Sequence, residues 1–236
     1  MVASRLAKRL NYFGLKEYGQ YFHLAMGRDH PEEFQMMVNI LTTNETYFFR
    51  EPKHFEYFRD NILKSWRGEK FRIWSAASST GEEAYTLSMV LAETLGARKW
   101  EVFGSDLSTK VLDAARNGVY LMDRLEQMDP KLLNKYCLKG VRSQSGFFRV
   151  DEKLRSRAHF EQVNLMKPLP KSVGKFDVIF LRNVLIYFDQ PTKKHVVERI
   201  AGALKPGGHF FISHSESLHR VTDCLEMVKP SIFIKK

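Results

Sequence analysis

From residue 71 onward, short apolar runs alternate with amphipathic stretches, and few folds accept that rhythm. FRIWSAA (71–77) reads as a strand and 82–95 as a helix; WEVFGSDL (100–107) and 108–117 repeat the pair. FDVIFLRN (176–183) is a buried-type strand, followed by a helix at about 191–204. LKPGG (204–208) reads as a sharp turn, HFFISH (209–214) as a strand, and the tail LEMVKPSIFIKK as a final strand. Strands that alternate with helices pack as a parallel sheet covered on both faces. The expected class is therefore α/β with a doubly wound sheet. Residues 131–165 break the alternation: KYCLKG, GFFRV and HFEQVNL read as short strands around the polar VRSQSG, an inserted antiparallel β subdomain.

The first third reads differently. In VASRLAKRLNYF (2–13), Val2, Leu6, Leu10 and Phe13 form one helical stripe, and Arg5, Lys8 and Arg9 a neighbouring basic one. Gly14 is a stop signal. A second helix is expected at 17–26, and a third after Pro31, where Phe34, Met37, Val38 and Leu41 keep helical spacing. The chain thus divides into a helical domain (1–45), a linker and helix (46–70) and the α/β domain (71–236). Within the linker, Pro52 suits the first turn of a helix at 53–65.

Composition limits the function classes. At 236 residues and 44% hydrophobic content the chain holds a real core, and no apolar run nears the roughly 18 residues of a membrane span. The start, MVASRLAKRLNYF, is basic and amphipathic, so neither a secretory signal nor membrane insertion is expected. Cys137 and Cys224 lie far apart without metal-ligand spacing, which points to a reduced, cytoplasmic protein. The net charge of +10 favours an acidic partner: nucleic acid, anionic membrane or an acidic protein surface.

In a doubly wound sheet, ligands bind beyond the carboxyl ends of the strands. The first strand ends in SAASSTGEE, whose small side chains permit close approach to the backbone. It has one glycine, Gly81, where dinucleotide loops usually have three, and two carboxylates, Glu82 and Glu83, where a phosphate would sit. About 25 residues on, Asp106 ends the second strand, placed to accept ribose hydroxyls or to cap a helix. Asn164 in VNLM is by itself an ordinary turn residue. In LRNVLIYF (181–188), Arg182 and Asn183 leave the buried strand where a reaction centre would lie, with Tyr187 four residues on. Ribose contacts without a phosphate loop, and carboxylates beside the loop, point to S-adenosylmethionine: its amino group and sulfonium are positive, whereas a pyrophosphate would be repelled.

The ordered motifs LTTNETYFFRE, WSAASSTGEEAY, SDLS, VNL, FLRNVLIYF, LKPGG and HSES resemble the chemotaxis receptor methyltransferases, the CheR family, over nearly the whole chain. SRLAKRLNYFGLKEYGQYF resembles that family's basic second helix, so the family's first helix is expected to be missing or reduced. The resemblance implies a class I S-adenosylmethionine-dependent methyltransferase domain with a β subdomain inserted in it. It also implies methyl transfer to glutamate side chains of receptors, with S-adenosylhomocysteine as product. By similarity, Asn44, Thr46, Arg50, Glu83, Asp106, Asn164, Leu165, Leu181 and Arg182 line the cofactor site, with Glu82 competing for the role of Glu83. Arg50 and Tyr187 face the acceptor. Arg5, Lys8 and Arg9 are the candidates for docking the acidic methylation helices of the receptor cytoplasmic domain. Some family members also bind a receptor C-terminal peptide along an edge of the β subdomain. A monomer is expected.

A glutamate is ionised at neutral pH and needs no general base; neither a Ser–His–Asp set nor a metal-ligand set is visible in the sequence. Two rivals remain. A nucleic-acid methyltransferase suits the basic charge, but enzymes that methylate amino groups usually carry an Asn/Asp-Pro-Pro-aromatic motif after the fourth strand, and RNVLIYF has no proline pair. A non-catalytic S-adenosylmethionine sensor is disfavoured by the presence of Arg50, Asp106, Arg182 and Tyr187.

Overall fold

The computed structural model describes residues 2–125 and 127–236. Helices α1 (Val2–Tyr12), α2 (Tyr18–Met26) and α3 (Glu33–Leu41) pack around Leu6, Leu10, Tyr21, Ala25 and Met37. The apolar stripe of α1 accounts for Leu6 and Leu10 in this small core. Polar bonds pin the helical unit to the sheet. Asn39 Nδ2 donates to Thr109 Oγ1 (3.2 Å), Ser108 Oγ to Asn39 Oδ1 (2.9 Å) and Gln162 Nε2 to Gln35 Oε1 (2.7 Å). Helix α4 (Pro52–Tyr57) begins on its proline, as expected, but from Phe58 to Leu63 it widens into a π-turn.

The sheet comprises β1 (Lys70–Ala76), β2 (Lys99–Asp106), β6 (Ala158–Gln162), β7 (Phe176–Leu181), β8 (Leu204–Phe211), β9 (Leu225–Lys229) and β10 (Ile232–Lys235), in the order β6-β2-β1-β7-β8-β10-β9. The first five are parallel, and β10 runs antiparallel between β8 and β9. Helices α5 (Glu82–Leu95), α6 (Thr109–Asn117) and α9 (Gln190–Gly202) make the crossovers. The doubly wound sheet is thus present. Phe71, Ile73, Val178 and Phe180 face a core shared with α5; Trp74, Ala76, Ile179 and Leu181 face one shared with α9. The chain reverses direction across the sheet between β1 and β7, so their carboxyl ends form the switch point.

Three expectations need correction. The inserted subdomain is β3 (Val119–Leu121), β5 (Phe147–Val150) and β4 (Cys137–Lys139), in that antiparallel order, with α7 (Pro130–Tyr136) between β3 and β4. It therefore lies at 119–150 rather than 131–165. The run HFEQ belongs to the main sheet: after the short α8 (Glu152–Arg155), β6 pairs in parallel with β2, Val102 against Ala158 through Asp106 against Gln162. Burial of Ala158 and Phe160 on one face, with exposed residues between, is the pattern of an edge strand and hid its parallel partner. The tail is a hairpin of β9 and β10, because Pro230 and Ser231 make a turn between them. LKPGG is no separate turn: β8 begins at Leu204, opposite Phe176, and bulges until His209 rejoins opposite Val178.

Candidate active site

The carboxyl ends of β1, β2, β6 and β7 surround a cavity of about 410 Å³, roofed by the linker 41–50. This is a size that takes a small organic ligand. The backbone around it is strained. Ala77 (φ 62°), Ser79 (φ 49°) and Asn183 (φ 59°) line the cavity in the left-handed region, and Phe49 (φ 58°) and Glu51 (φ 59°) flank Arg50 in the same conformation. Non-glycine residues hold such angles where the surroundings over-determine them, and these cluster at ligand sites. Gly81 (φ 96°) completes the loop into α5, and a Cβ there would meet Ala115 Cβ at 2.9 Å.

At the end of β2, one oxygen of Asp106 accepts the Ser79 N–H and the other the Ser108 N–H, both at 3.0 Å. The N-cap of α6 is Ser108 rather than Asp106; the Asp106 carboxylate instead ties two loops together and lines the cavity. Burial pushes its pKa up, against these backbone hydrogen bonds. Asn164 Oδ1 accepts the Met166 N–H (2.9 Å) in a turn, and the residue and its neighbour Leu165 line the wall.

Glu83, and not Glu82, faces the cavity. Ser75 Oγ donates to Glu83 Oε1 (2.6 Å) and Arg182 Nη1 to Glu83 Oε2 (2.8 Å). Glu82 is buried on the other side of the helix start, bonded to Thr80 Oγ1 (2.6 Å), and burial raises its pKa. Its expected cofactor contact is therefore corrected. Leu181 is corrected as well: its side chain is fully buried in the α9-side core and does not line the cavity.

Arg182 is the hub. Its side chain is 2% exposed, and Nη2 donates to Glu51 Oε2 (2.9 Å) and to the Arg50 carbonyl (2.6 Å). Ser213 Oγ donates to Glu51 Oε1 (2.7 Å). Burial opposes ionisation of Glu51, but the Arg182 charge and the Ser213 hydroxyl hold its carboxyl below the usual range. Two carboxylates and one guanidinium leave a net charge of −1 beside the cavity. Beneath them, Glu216 accepts the N–H groups of Asn183 (3.1 Å), Leu185 (2.8 Å) and Ser213 (2.8 Å), tying the end of β7 to the end of β8. Sequence reasoning assigned no role to Glu51, Ser213 or Glu216, although FFRE and HSES carried the signal of ionisable residues at element ends.

At the mouth, Asn44, Thr46, Arg50 and Tyr187 line the cavity. Asn44 Nδ2 donates to Thr42 Oγ1 (3.2 Å), and its carbonyl accepts Ser79 Oγ (3.1 Å). Arg50 Nη1 donates to the Glu45 carbonyl (2.9 Å) and the guanidinium lies 5.6 Å from the Tyr47 ring centre, without a carboxylate partner among the described residues. Tyr187 is 60% exposed. The basic stripe of α1 is the last correction. Arg5 donates to the carbonyls of Leu41 (2.7 Å) and Thr42 (3.0 Å) and to Thr43 Oγ1 (3.0 Å), holding the linker that roofs the cavity. Arg9 is paired with the buried Glu33, which also accepts Tyr21 Oη (2.5 Å). Of the three docking candidates, Lys8 alone is exposed; Arg5 and Arg9 are half-buried.

Comparison with known proteins covers the same elements. The family model described as "CheR methyltransferase, SAM binding domain" matches residues 44–234. The chain is 42% identical to a chemotaxis protein methyltransferase of Escherichia coli K12, over 92% of this chain and 76% of that protein. It is 41% identical to chemotaxis protein methyltransferase 2 of Pseudomonas aeruginosa PAO1, over 99% of this chain and 84% of that protein. A Salmonella typhimurium LT2 relative of the same description is 40% identical over 92% of this chain and 75% of that protein.

Proposed function

The chain belongs to the CheR family of S-adenosylmethionine-binding chemotaxis methyltransferases, and from that premise we propose that it esterifies glutamate side chains on the cytoplasmic helices of a chemotaxis receptor. The observation that carries this reading is the pairing of Arg50 at the cavity mouth, without a carboxylate partner among the described residues, with a net negative Glu51–Arg182–Glu83 cluster inside. An anionic acceptor is drawn to the first, and a cationic methyl donor to the second.

Residues present fit the cofactor. Asp106 keeps acceptor capacity toward the cavity beyond its two backbone bonds, which suits ribose hydroxyls. Glu83 supplies negative charge at the β1 end, and Leu165 and Val163 give apolar wall for an adenine ring. When bound, S-adenosylmethionine supplies an electrophilic sulfonium methyl group. The protein's own task is then mostly orientation. Arg50 pairs with the acceptor carboxylate, in a charge-assisted and preferably bidentate contact, and Arg182 holds the Arg50 backbone from below. Tyr187 hydrogen-bonds or packs beside the same carboxylate. No proton has to move, because the acceptor is already ionised at neutral pH.

The charge of +10 suits a glutamate-rich helix as partner. With Arg5 and Arg9 engaged inside the chain, Lys8 is the α1 residue left to meet it. The exposed edge of β4, with Leu138 60% exposed and Val141 just beyond it 70% exposed, is the place where a receptor C-terminal peptide would add as a strand. The test is transfer of radiolabelled methyl from S-adenosylmethionine to receptor-containing membranes, followed by mild alkali. Label that enters the receptor band and leaves as methanol supports a carboxyl methyl ester. Label in nucleic acid, or cofactor binding without label in any receptor of a panel, refutes it.

A further inference from the structure

Behind the active site, on the far side of Glu51, the fold brings His214 from beyond β8 to a Glu51–His54 pair at the start of α4, gathering three metal-ligand side chains. One ligand atom from each lies within 4.8 Å of the others. We propose that this constellation is a binding site for a borderline divalent transition ion of the zinc class.

His54 carries the inference. It is 1% exposed, and its Nδ1 has no hydrogen-bond partner among the described residues, although such buried groups are nearly always satisfied. Its other nitrogen is committed: Nε2 lies 2.7 Å from Ser231 Oγ. The Ser231 hydroxyl in turn points its proton at the Pro230 carbonyl (2.6 Å), so its oxygen acts as acceptor toward His54. That assigns the proton of the neutral ring to Nε2 and leaves a lone pair on Nδ1. This lone pair faces Glu51 Oε2 at 3.3 Å, one acceptor against another. A cation between them resolves the contact, and the separation equals that of neighbouring ligands on a tetrahedral zinc with bonds of about 2.0–2.1 Å.

The rest of the site agrees. His214 is exposed, lies beside His54 with ring centres 4.3 Å apart and the rings tilted by 42°, and approaches Ser231 Oγ at 3.1 Å through Nδ1. A cleft of about 520 Å³, bordered by His54, His214, Lys229 and Pro230, leads to it from solvent. Two imidazoles and one carboxylate match zinc and its neighbours rather than magnesium or calcium, which take oxygen shells. Ser231 (φ 63°), in the β9–β10 turn, orients the His54 ring as outer-shell partners of metal-bound histidines do.

The site opposes Arg182, whose Nη2 lies 2.9 Å from the same Glu51 oxygen. An ion sharing that oxygen draws carboxylate charge away from Arg182 and so loosens its hold on Arg50 and Glu83. Zinc is therefore an inhibitor of methyl transfer, a consequence that rests on the reading of the active site above; the binding itself does not.

The experiment is calorimetric titration of tag-free protein with zinc chloride, with cobalt as an optical probe of the ligand set. The expected result is one site in the wild type, weakened at least about tenfold in His214→Ala and in His54→Gln. His214 is exposed, so its variant reports even where His54→Gln fails to fold. No single-site isotherm in the wild type, or an unchanged Kd in His214→Ala, overturns the proposal. Methyl transfer by His214→Ala matches the wild type without zinc and loses its sensitivity to it. Zinc inhibition that persists in that variant refutes the coupling through Glu51, while absence of methyl transfer in both proteins refutes the proposed function instead.

Discussion

Glu51→Gln tests whether the cluster behind the cavity works as an electrostatic unit. The substitution preserves shape and removes one charge, taking the Glu51–Arg182–Glu83 net charge from −1 to 0. In the native protein the Arg182–Glu51 contact is 2.9 Å long, between side chains 2% and 17% exposed. Hydrogen bonds to charged groups contribute about 1.5–3 kcal/mol. Arg182 keeps Glu83 at 2.8 Å and the Arg50 carbonyl at 2.6 Å, so no buried charge is orphaned. The larger cost of breaking a buried pair, about 3–5 kcal/mol, does not apply. A loss of about 2 kcal/mol is expected, lowering Tm by about 4–8 °C in a chain of this size. The cationic methyl donor loses an attraction on the order of 1 kcal/mol in a partly solvated cavity, a roughly fivefold weaker Kd. S-adenosylhomocysteine lacks the sulfonium charge and should weaken less. Denaturant unfolding and calorimetry with both ligands measure these effects, and a double-mutant cycle with Arg182→Met isolates the pair. A coupling energy under about 0.5 kcal/mol, or equal weakening of the two ligands, refutes the reasoning.

Arg50→Ala should lower methyl transfer by at least about 100-fold while S-adenosylmethionine binding weakens less than about tenfold; equal loss of both in paired kinetic and binding assays would make Arg50 a cofactor anchor instead. Glu33→Gln should cost about 2 kcal/mol, discounted because Arg9 is 21% exposed. Burial opposes ionisation of Glu33, but hydrogen bonds from Arg9 and Tyr21 hold its carboxyl below the ordinary 4.5. A lowered folded-state value means the stabilisation is full above 4.5 and fades as pH falls through that lower value; unfolding of wild type and variant should therefore converge on acidification, and a gap independent of pH would contradict the assignment. Gly81→Ala places a Cβ 2.9 Å from Ala115 Cβ and 3.1 Å from Tyr120 Oη at a φ of 96°, and should destabilise by about 1–3 kcal/mol in thermal unfolding. Arg5→Ala should leave the helical core intact yet release the linker at Leu41–Thr43, raising the KM for S-adenosylmethionine more than it lowers kcat.

What the sequence determined by itself is local chemistry. Strand–helix alternation after residue 71, the small-residue loop before Gly81, the acid ending β2 and the Arg-Asn leaving β7 each depend on neighbours a few positions away. They were enough for the fold class, the cofactor and part of the cavity wall, with the order of motifs pointing to the family. The tertiary structure alone decided orientation and partnership. Glu82 and Glu83 are adjacent, and a helix turns about 100° per residue, so the packing of α5 on β1 settles which one faces the cavity. Arg5 and Arg9 look like a solvated basic face until α3 and the linker arrive to take their hydrogen bonds. HFEQ alternates like any edge strand, and only the crossover through α8 lays it parallel to β2. Glu51 meets Arg182 and Ser213 across more than a hundred residues of chain, and His214 reaches the Glu51–His54 pair over a similar span. Residue type sets what each group is able to do, but desolvation and charge pairing are properties of a place, and that place exists once the strand ends converge.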